Sequence, residues 1–312
     1  MNKIDAPLLP VKPTVSIADE PAADNAAVVK AGQVLKTMFG ESGIRRVLFV
    51  VPPDAEEASF TYATGKRGRY WNFPPYGLGL IADLLQVDGI EVEILNLNNA
   101  ILRACRLSKK EDDFDFSKII DDELQAKVEA FGPDIMGLTC MFSQTHPSTV
   151  DVSNRLRRIA PDTPQAVGGV HVSNSFVGPT TCDDLVAAFP KVDFLFVYEA
   201  EIAFRDFVRV VNGTLSSTGL AQVAFLGDEG EVLYFTALRK PLGEVLDAIP
   251  AYDLMDMKDI NDNGKIGGFY SLVEPGKRFA TALTNRGCRA QCTFCSVRNF
   301  NGVGVRGRSV QS

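Results

Sequence analysis

Five short apolar runs alternate with segments of helical apolar spacing, and that alternation confines most of the chain to a layered α/β fold. The first run, residues 47–51 (VLFVV), is bounded by Pro52-Pro53. It is continuous rather than alternating, as a strand buried on both faces requires. Runs at 92–95, 135–139, 165–167 (leading into Gly168-Gly169) and 192–197 follow it. Helical spacing separates them at about 78–85, 119–131, 149–159, 183–189 and 201–211. The pattern predicts a doubly wound, parallel five-stranded, Rossmann-like sheet, with ligands beyond the carboxyl ends of its strands.

The flanks differ in texture. Residues 1–29 carry scattered Pro, Ala and acidic residues without an apolar core, and read as a disordered tail before a short helix at 31–39. Residues 221–226 and 231–235 flank Gly227-Asp-Glu-Gly230 as a β-hairpin. A Pro-punctuated linker at 241–257 precedes a further expected strand at 279–283 (FATAL), which runs directly into clustered cysteines. The expected organisation is a tail and helix over 1–43, an α/β domain over 44–212, a hairpin connector and linker over 213–275, and a new domain beginning at 276. Hydrophobic residues make up 46% of the 312, enough for sizeable cores. The net charge of −7 argues against broad binding to nucleic acid or anionic membranes. No stretch approaches the ~18 apolar residues of a membrane span, so a cytoplasmic protein is expected.

Three of the six cysteines, Cys288, Cys292 and Cys295, have the spacing C-x3-C-x2-C. Such a loop lets three thiolates hold three corners of a [4Fe-4S] cluster, which four would normally hold, leaving one iron open to a small molecule. A zinc site usually takes four ligands, and the only histidines, His146 and His171, lie far upstream. Cys105, Cys140 and Cys182 are dispersed and read as small core residues.

With Phe294 before its last cysteine, this segment resembles the motif of the radical S-adenosylmethionine superfamily. The resemblance implies that S-adenosylmethionine chelates the open iron. One electron, from a donor such as flavodoxin or ferredoxin, then cleaves it to methionine and a 5′-deoxyadenosyl radical that abstracts hydrogen from a small-molecule or peptide substrate.

The first half resembles the cobalamin-binding domain that precedes the radical barrel in one subgroup of that superfamily. The carrying residues are 74–79 (PPYGLG), 137–143 (GLTCMFS), 168–171 (GGVH) and 198–201 (YEAE). The resemblance implies cofactor contacts from Thr139, Ser143, Gly168, Gly169, His171 and Glu199. Adjacent glycines let a bulky ligand approach the backbone, and the hydroxyls at a strand end suit a phosphate or amide. For His171, ligand contact and capping of the next segment stand as equal readings. Glu199 and Glu201, opening a helix, also read as dipole partners. Two departures stand out: the loop after the first strand lacks the D-x-H-x-x-G histidine that ligates cobalt, and Tyr198 replaces the first Gly of Gly-Glu-x-Glu. The aromatic loop 60–73 reads equally as a cofactor cover and as packing against neighbouring helices.

Three functions follow: a cobalamin-dependent radical methyltransferase, a radical enzyme for ring formation or rearrangement without methyl transfer, and a non-catalytic cofactor-binding fragment. Only 17 residues follow Cys295, whereas a full β/α barrel takes about 250. The expectation is therefore an incomplete form that binds cofactor but does not turn over alone.

Overall fold

The computed structural model describes residues 25–176, 179–226, 232–265 and 280–310. In chain order the elements are α1 (Asn25–Phe39), β1 (Arg46–Val51), α2 (Tyr62–Lys66), α3 (Tyr76–Val87), β2 (Glu91–Asn96), α4 (Leu97–Leu107), α5 (Phe116–Phe131), β3 (Ile135–Thr139), α6 (His146–Ile159) and β4 (Gln165–Gly168). Then come α7 (Val170–Ser175), α8 (Pro179–Ala188), β5 (Phe194–Phe196), α9 (Glu201–Val211), β6 (Val223–Leu226), β7 (Val232–Phe235), α10 (Glu244–Asp247), α11 (Met257–Asn263), β8 (Asn285–Cys288), α12 (Val297–Asn301) and β9 (Gly304–Gly307).

Seven strands form one sheet in the order β2-β1-β3-β4-β5-β6-β7. The first five are parallel, as expected. The hairpin is not a separate connector: β6 pairs antiparallel with β5, and β7 with β6, extending the same sheet. Its turn, 227–231, lies outside the described residues.

Period-two alternation sorts the strand side chains into two cores. Val47, Phe49, Ile135, Ala166, Phe194, Phe196, Val223 and Phe225 face a layer of α1, α3 and α9. Leu48, Val50, Met136, Leu138, Val167, Leu195 and Ala224 face α4, α5, α6, α7 and α8. The helices answer with stripes at i+4, such as Ala31, Leu35 and Phe39 on α1 and Phe116, Ile120, Leu124 and Val128 on α5. Local chemistry sets the ends of α5: Asp115 accepts from the Lys118 N–H at 2.9 Å, and Gly132 closes the helix at φ +60°.

Helix α1 begins at Asn25, so residues 25–29 belong to a helix rather than to the expected tail; residues 1–24 lie outside the described residues. Helix α4 was not expected. It follows β2 without a linking residue, and Asn96 caps it by accepting from the Asn99 N–H. The strand expected at 279–283 is absent over its described part, 280–283. Strand formation falls instead on β8, because β9 supplies an antiparallel partner from Asn285↔Gly307 to Cys288↔Gly304. Among the described residues, no helix is long and apolar enough to cross a membrane.

Candidate functional site

A cavity of about 480 Å³ opens at the carboxyl ends of β1, β3, β4 and β5. It sits where the chain order reverses between β1 and β3, the crevice in which open α/β sheets bind ligands. Pro74, Pro75 and Tyr76 at the start of α3 form one wall, while Met141 and Phe142 beyond β3 form another. Leu283, Arg286, Phe300 and Asn301, from the cysteine-bearing segment, complete the lining.

Four of the expected cofactor residues line this space: Thr139, Gly168, Gly169 and Glu199. The two glycines differ in kind. A Cβ at Gly168 would meet only ordinary contacts with Phe196, at 3.5 Å, so the protein's own packing does not demand its small size. A Cβ at Gly169 would lie 2.3 Å from the Cys140 carbonyl oxygen, and its φ of +117° belongs to glycine. Ser143 and His171 are not in the lining. They face each other, Ser143 Oγ 3.1 Å from His171 Nδ1, and His171 Nε2 lies 3.0 Å from His146 Nδ1.

Glu199 lines the cavity, but its carboxylate serves the chain itself. Arg286 Nη1 donates to it at 3.1 Å, Arg306 Nη1 at 3.0 Å and Asn301 Nδ2 at 2.5 Å. Burial pushes the Glu199 carboxyl up, but these donors and the two guanidinium charges outweigh it and hold it below the usual range. Glu201 gives one oxygen to Arg286 at 2.6 Å; its other oxygen is buried with no hydrogen-bond partner, on a residue of the cavity wall. Tyr198 also lines the cavity, at φ +60°. The left-handed backbone that glycine adopts freely is thus present at this position, although the residue is tyrosine.

Sequence reasoning passed over Asp54 and Arg286. Asp54 follows β1, lines the cavity, and is pushed up by burial to about 6. Arg286 lies two residues before the first clustered cysteine; the structure puts it inside β8 with a buried side chain, neither of which the local sequence signals. The aromatic loop divides: Phe60 stacks on Tyr70 and Phe114 at 4.9 and 5.3 Å, away from the cavity, whereas Phe73 lines it and stacks on Trp71. Cys288 ends β8 half-buried, Cys292 and Cys295 are exposed in the turn that follows, and Phe294 is 90% exposed. Cys105 and Cys140 are fully buried; the side chain of Cys182 lies outside the described residues.

A strand order reversing at an apolar crevice, with glycines at its mouth, defines a ligand-binding doubly wound domain. Residues 69–208 match the family model of the B12 binding domain. Among curated proteins, the chain is 28% identical over 256 residues to cytidylyl-2-hydroxyethylphosphonate methyltransferase of Streptomyces wedmorensis, covering 76% of this chain and 46% of that protein. It is 26% identical over 270 residues to an uncharacterized methyltransferase of Pyrococcus horikoshii, covering 86% and 49%. The chain therefore spans about half the length of these relatives. It shares its fold with OxsB, a cobalamin-dependent S-adenosylmethionine radical enzyme whose structure holds aqua-cobalamin and S-adenosylmethionine. There the TM-score is 0.56 at 17% identity, over 86% of this chain and 30% of that one.

Proposed function

We propose that this chain is the cofactor-holding part of a cobalamin-dependent radical S-adenosylmethionine methyltransferase. One observation carries the reading: the crevice of a B12-binding domain and the segment bearing Cys288, Cys292 and Cys295 share a single cavity, with Arg286 in its wall. The residues fit the group. Gly168 leaves space that packing does not require, and Glu201 presents an unpartnered oxygen to which a corrin amide can donate. Three thiols on one eight-residue loop, all at least partly exposed, suit a [4Fe-4S] cluster with one iron open.

When bound, these groups supply a transferable methyl group and a route to activating an unreactive carbon. The chain's own part is to hold and shield. Phe49, Leu80, Ile81, Phe196 and Phe204 exclude water from the crevice. Thr139 offers a hydroxyl at its rim, and the Glu199–Arg286 pair fixes β8, and with it Cys288, against the cavity. The loop that follows β1, residues 52–57, contains no histidine, and its Asp54 lines the cavity.

Hydroxocobalamin titrated into the anaerobic chain should co-elute with it near one equivalent, and reconstitution with iron and sulfide should give a brown protein with a broad absorption in the visible blue. A chain that binds neither group sinks the proposal. Cobalamin binding without a cluster would leave a cobalamin-binding module alone.

A further inference from the structure

The chain has two histidines, 25 positions apart, and the fold brings them together beside a buried thiol. Cys140 follows β3, His146 opens α6, and His171 lies in the first turn of α7. One ligand atom from each lies within 4.8 Å of the other two. The two ring nitrogens are 3.0 Å apart. Cys140 is fully buried, with Thr145 Oγ1 at 3.7 Å and the Phe142 carbonyl at 3.8 Å as its sulfur's neighbours.

We propose that Cys140, His146 and His171 form a site for a divalent transition-metal ion of the zinc type, distinct from the cysteine triad and outside the cavity lining. One sulfur and two imidazole nitrogens suit a borderline-soft ion, and among the described residues no carboxylate joins the group to favour magnesium or calcium. Zinc–nitrogen bonds of about 2.0–2.1 Å at a tetrahedral ion put two ring nitrogens about 3.3 Å apart, close to the arrangement found. The hydroxyl of Ser143 sits on the far nitrogen of His171, where it orients the ring, as hydrogen-bond partners of metal-bound imidazoles do.

Proton accounting favours the same ion. Burial lowers both histidines, and His171 adds to the effect on His146, which favours the neutral imidazole that a metal ion takes. Burial raises the Cys140 thiol. Binding a divalent ion therefore releases one proton, from Cys140, and leaves a site of net charge +1. The Cys140 N–H also donates to the Gly168 carbonyl at 2.7 Å, and the His171 N–H to the Cys140 carbonyl at 3.2 Å. An ion here fastens the segment that presents Met141 and Phe142 to the cavity.

The test uses the full chain carrying C288S, C292S and C295S, which removes the competing thiols at partly exposed positions. After chelator stripping and anaerobic reduction, it should take up one equivalent of Co²⁺ with a thiolate charge-transfer band and tetrahedral d–d bands. H146A and H171A in that background should each weaken binding more than the 10–100-fold typical of losing an orienting partner, that is by more than ~100-fold. X-ray absorption of the zinc-loaded C288S/C292S/C295S chain should give one sulfur and two imidazole nitrogens. This reads the ligand set even where a histidine variant fails to fold. Failure to bind Co²⁺, a sulfur-free shell, or binding unchanged in folded histidine variants would overturn the site and leave a neutral imidazole pair joined by a hydrogen bond. None of these outcomes depends on cobalamin or cluster binding.

Discussion

Gly168 and Gly169 stand side by side, yet substitution should separate their roles. Gly168→Leu projects into space that the protein's packing leaves free; it should cut cobalamin affinity at least ~10-fold while moving the apo melting transition little. Gly169→Ala meets the Cys140 carbonyl and a φ of +117°, so it should destabilise the fold by about 2 kcal/mol or more in urea unfolding. Asp54 gives a pH signature. Its carboxyl lies at about 6 in the fold against 3.8 when solvated, so the folded state holds the extra proton between those values. Its burial therefore costs nothing below about pH 4, and the cost grows as pH rises to about 6 and stays constant above. Asp54→Asn should stabilise the apo chain by about 3 kcal/mol at pH 7.5 and leave it unchanged at pH 4; equal effects at both values would refute the assignment. Some of this scale was legible. The glycine pair and Thr139 were read from their place at strand ends, because a strand end on a parallel sheet fixes which residues meet the crevice. Ser143 and His171 follow from the same logic, but the short turn that leads into α6 and the start of α7 carry them to a different group. Asp54 was passed over because a carboxylate in a loop gives no local sign of being desolvated.

At the scale of elements, β8 is held by charge rather than by apolar contact. Arg286 is 8% exposed and touches two carboxylates that are buried themselves. Arg286→Leu leaves Glu199 and Glu201 facing each other without this cation, and should cost about 3–5 kcal/mol. Adding Glu199→Gln and Glu201→Gln should recover much of the loss, measurable as a coupling energy in a mutant cycle. No recovery would mean that Arg286 acts through packing alone. The Glu199 carboxyl, held below its ordinary value, contributes stability that is present above the unfolded pKa and lost as pH falls through the folded one, so Glu199→Gln should flatten the acid limb of a stability profile. These pairs could not be read from sequence. Arg286 is 87 positions from Glu199 and Arg306 is 107, and a local pattern shows only an acidic helix start. The displaced strand has the same origin: residues 279–283 have the better intrinsic preference, while the ladder with β9 selects Asn285–Cys288. By contrast, β3 and α9 were read to the residue, because a continuous apolar run and an unbroken amphipathic stripe are local properties.

For the whole molecule, the parallel core and its two faces followed from alternation, whereas the seven-stranded width did not. A hairpin looks the same in sequence whether it stands apart or adds to a sheet edge; only the pairing of β6 with β5 decides. Because one cavity is lined from both ends of the chain, cobalamin should act on both. At 100 times its Kd it should add about 2.7 kcal/mol to stability. Amide exchange should slow at β8 as well as at the carboxyl ends of β1, β3 and β4; protection confined to the sheet would show that the two parts do not share the ligand.

The distance in sequence between Glu199 and its arginines also has a meaning in time. Translation at about 5–20 residues per second delivers Arg286 and Arg306 some ~5–20 s after Glu199 has been made. During that interval the newborn sheet has two carboxylates without their cations, and its crevice lacks the side that Leu283, Arg286 and Asn301 will provide. A large macrocycle has its widest entrance then, before the segment from Leu283 to Asn301 arrives to complete the lining.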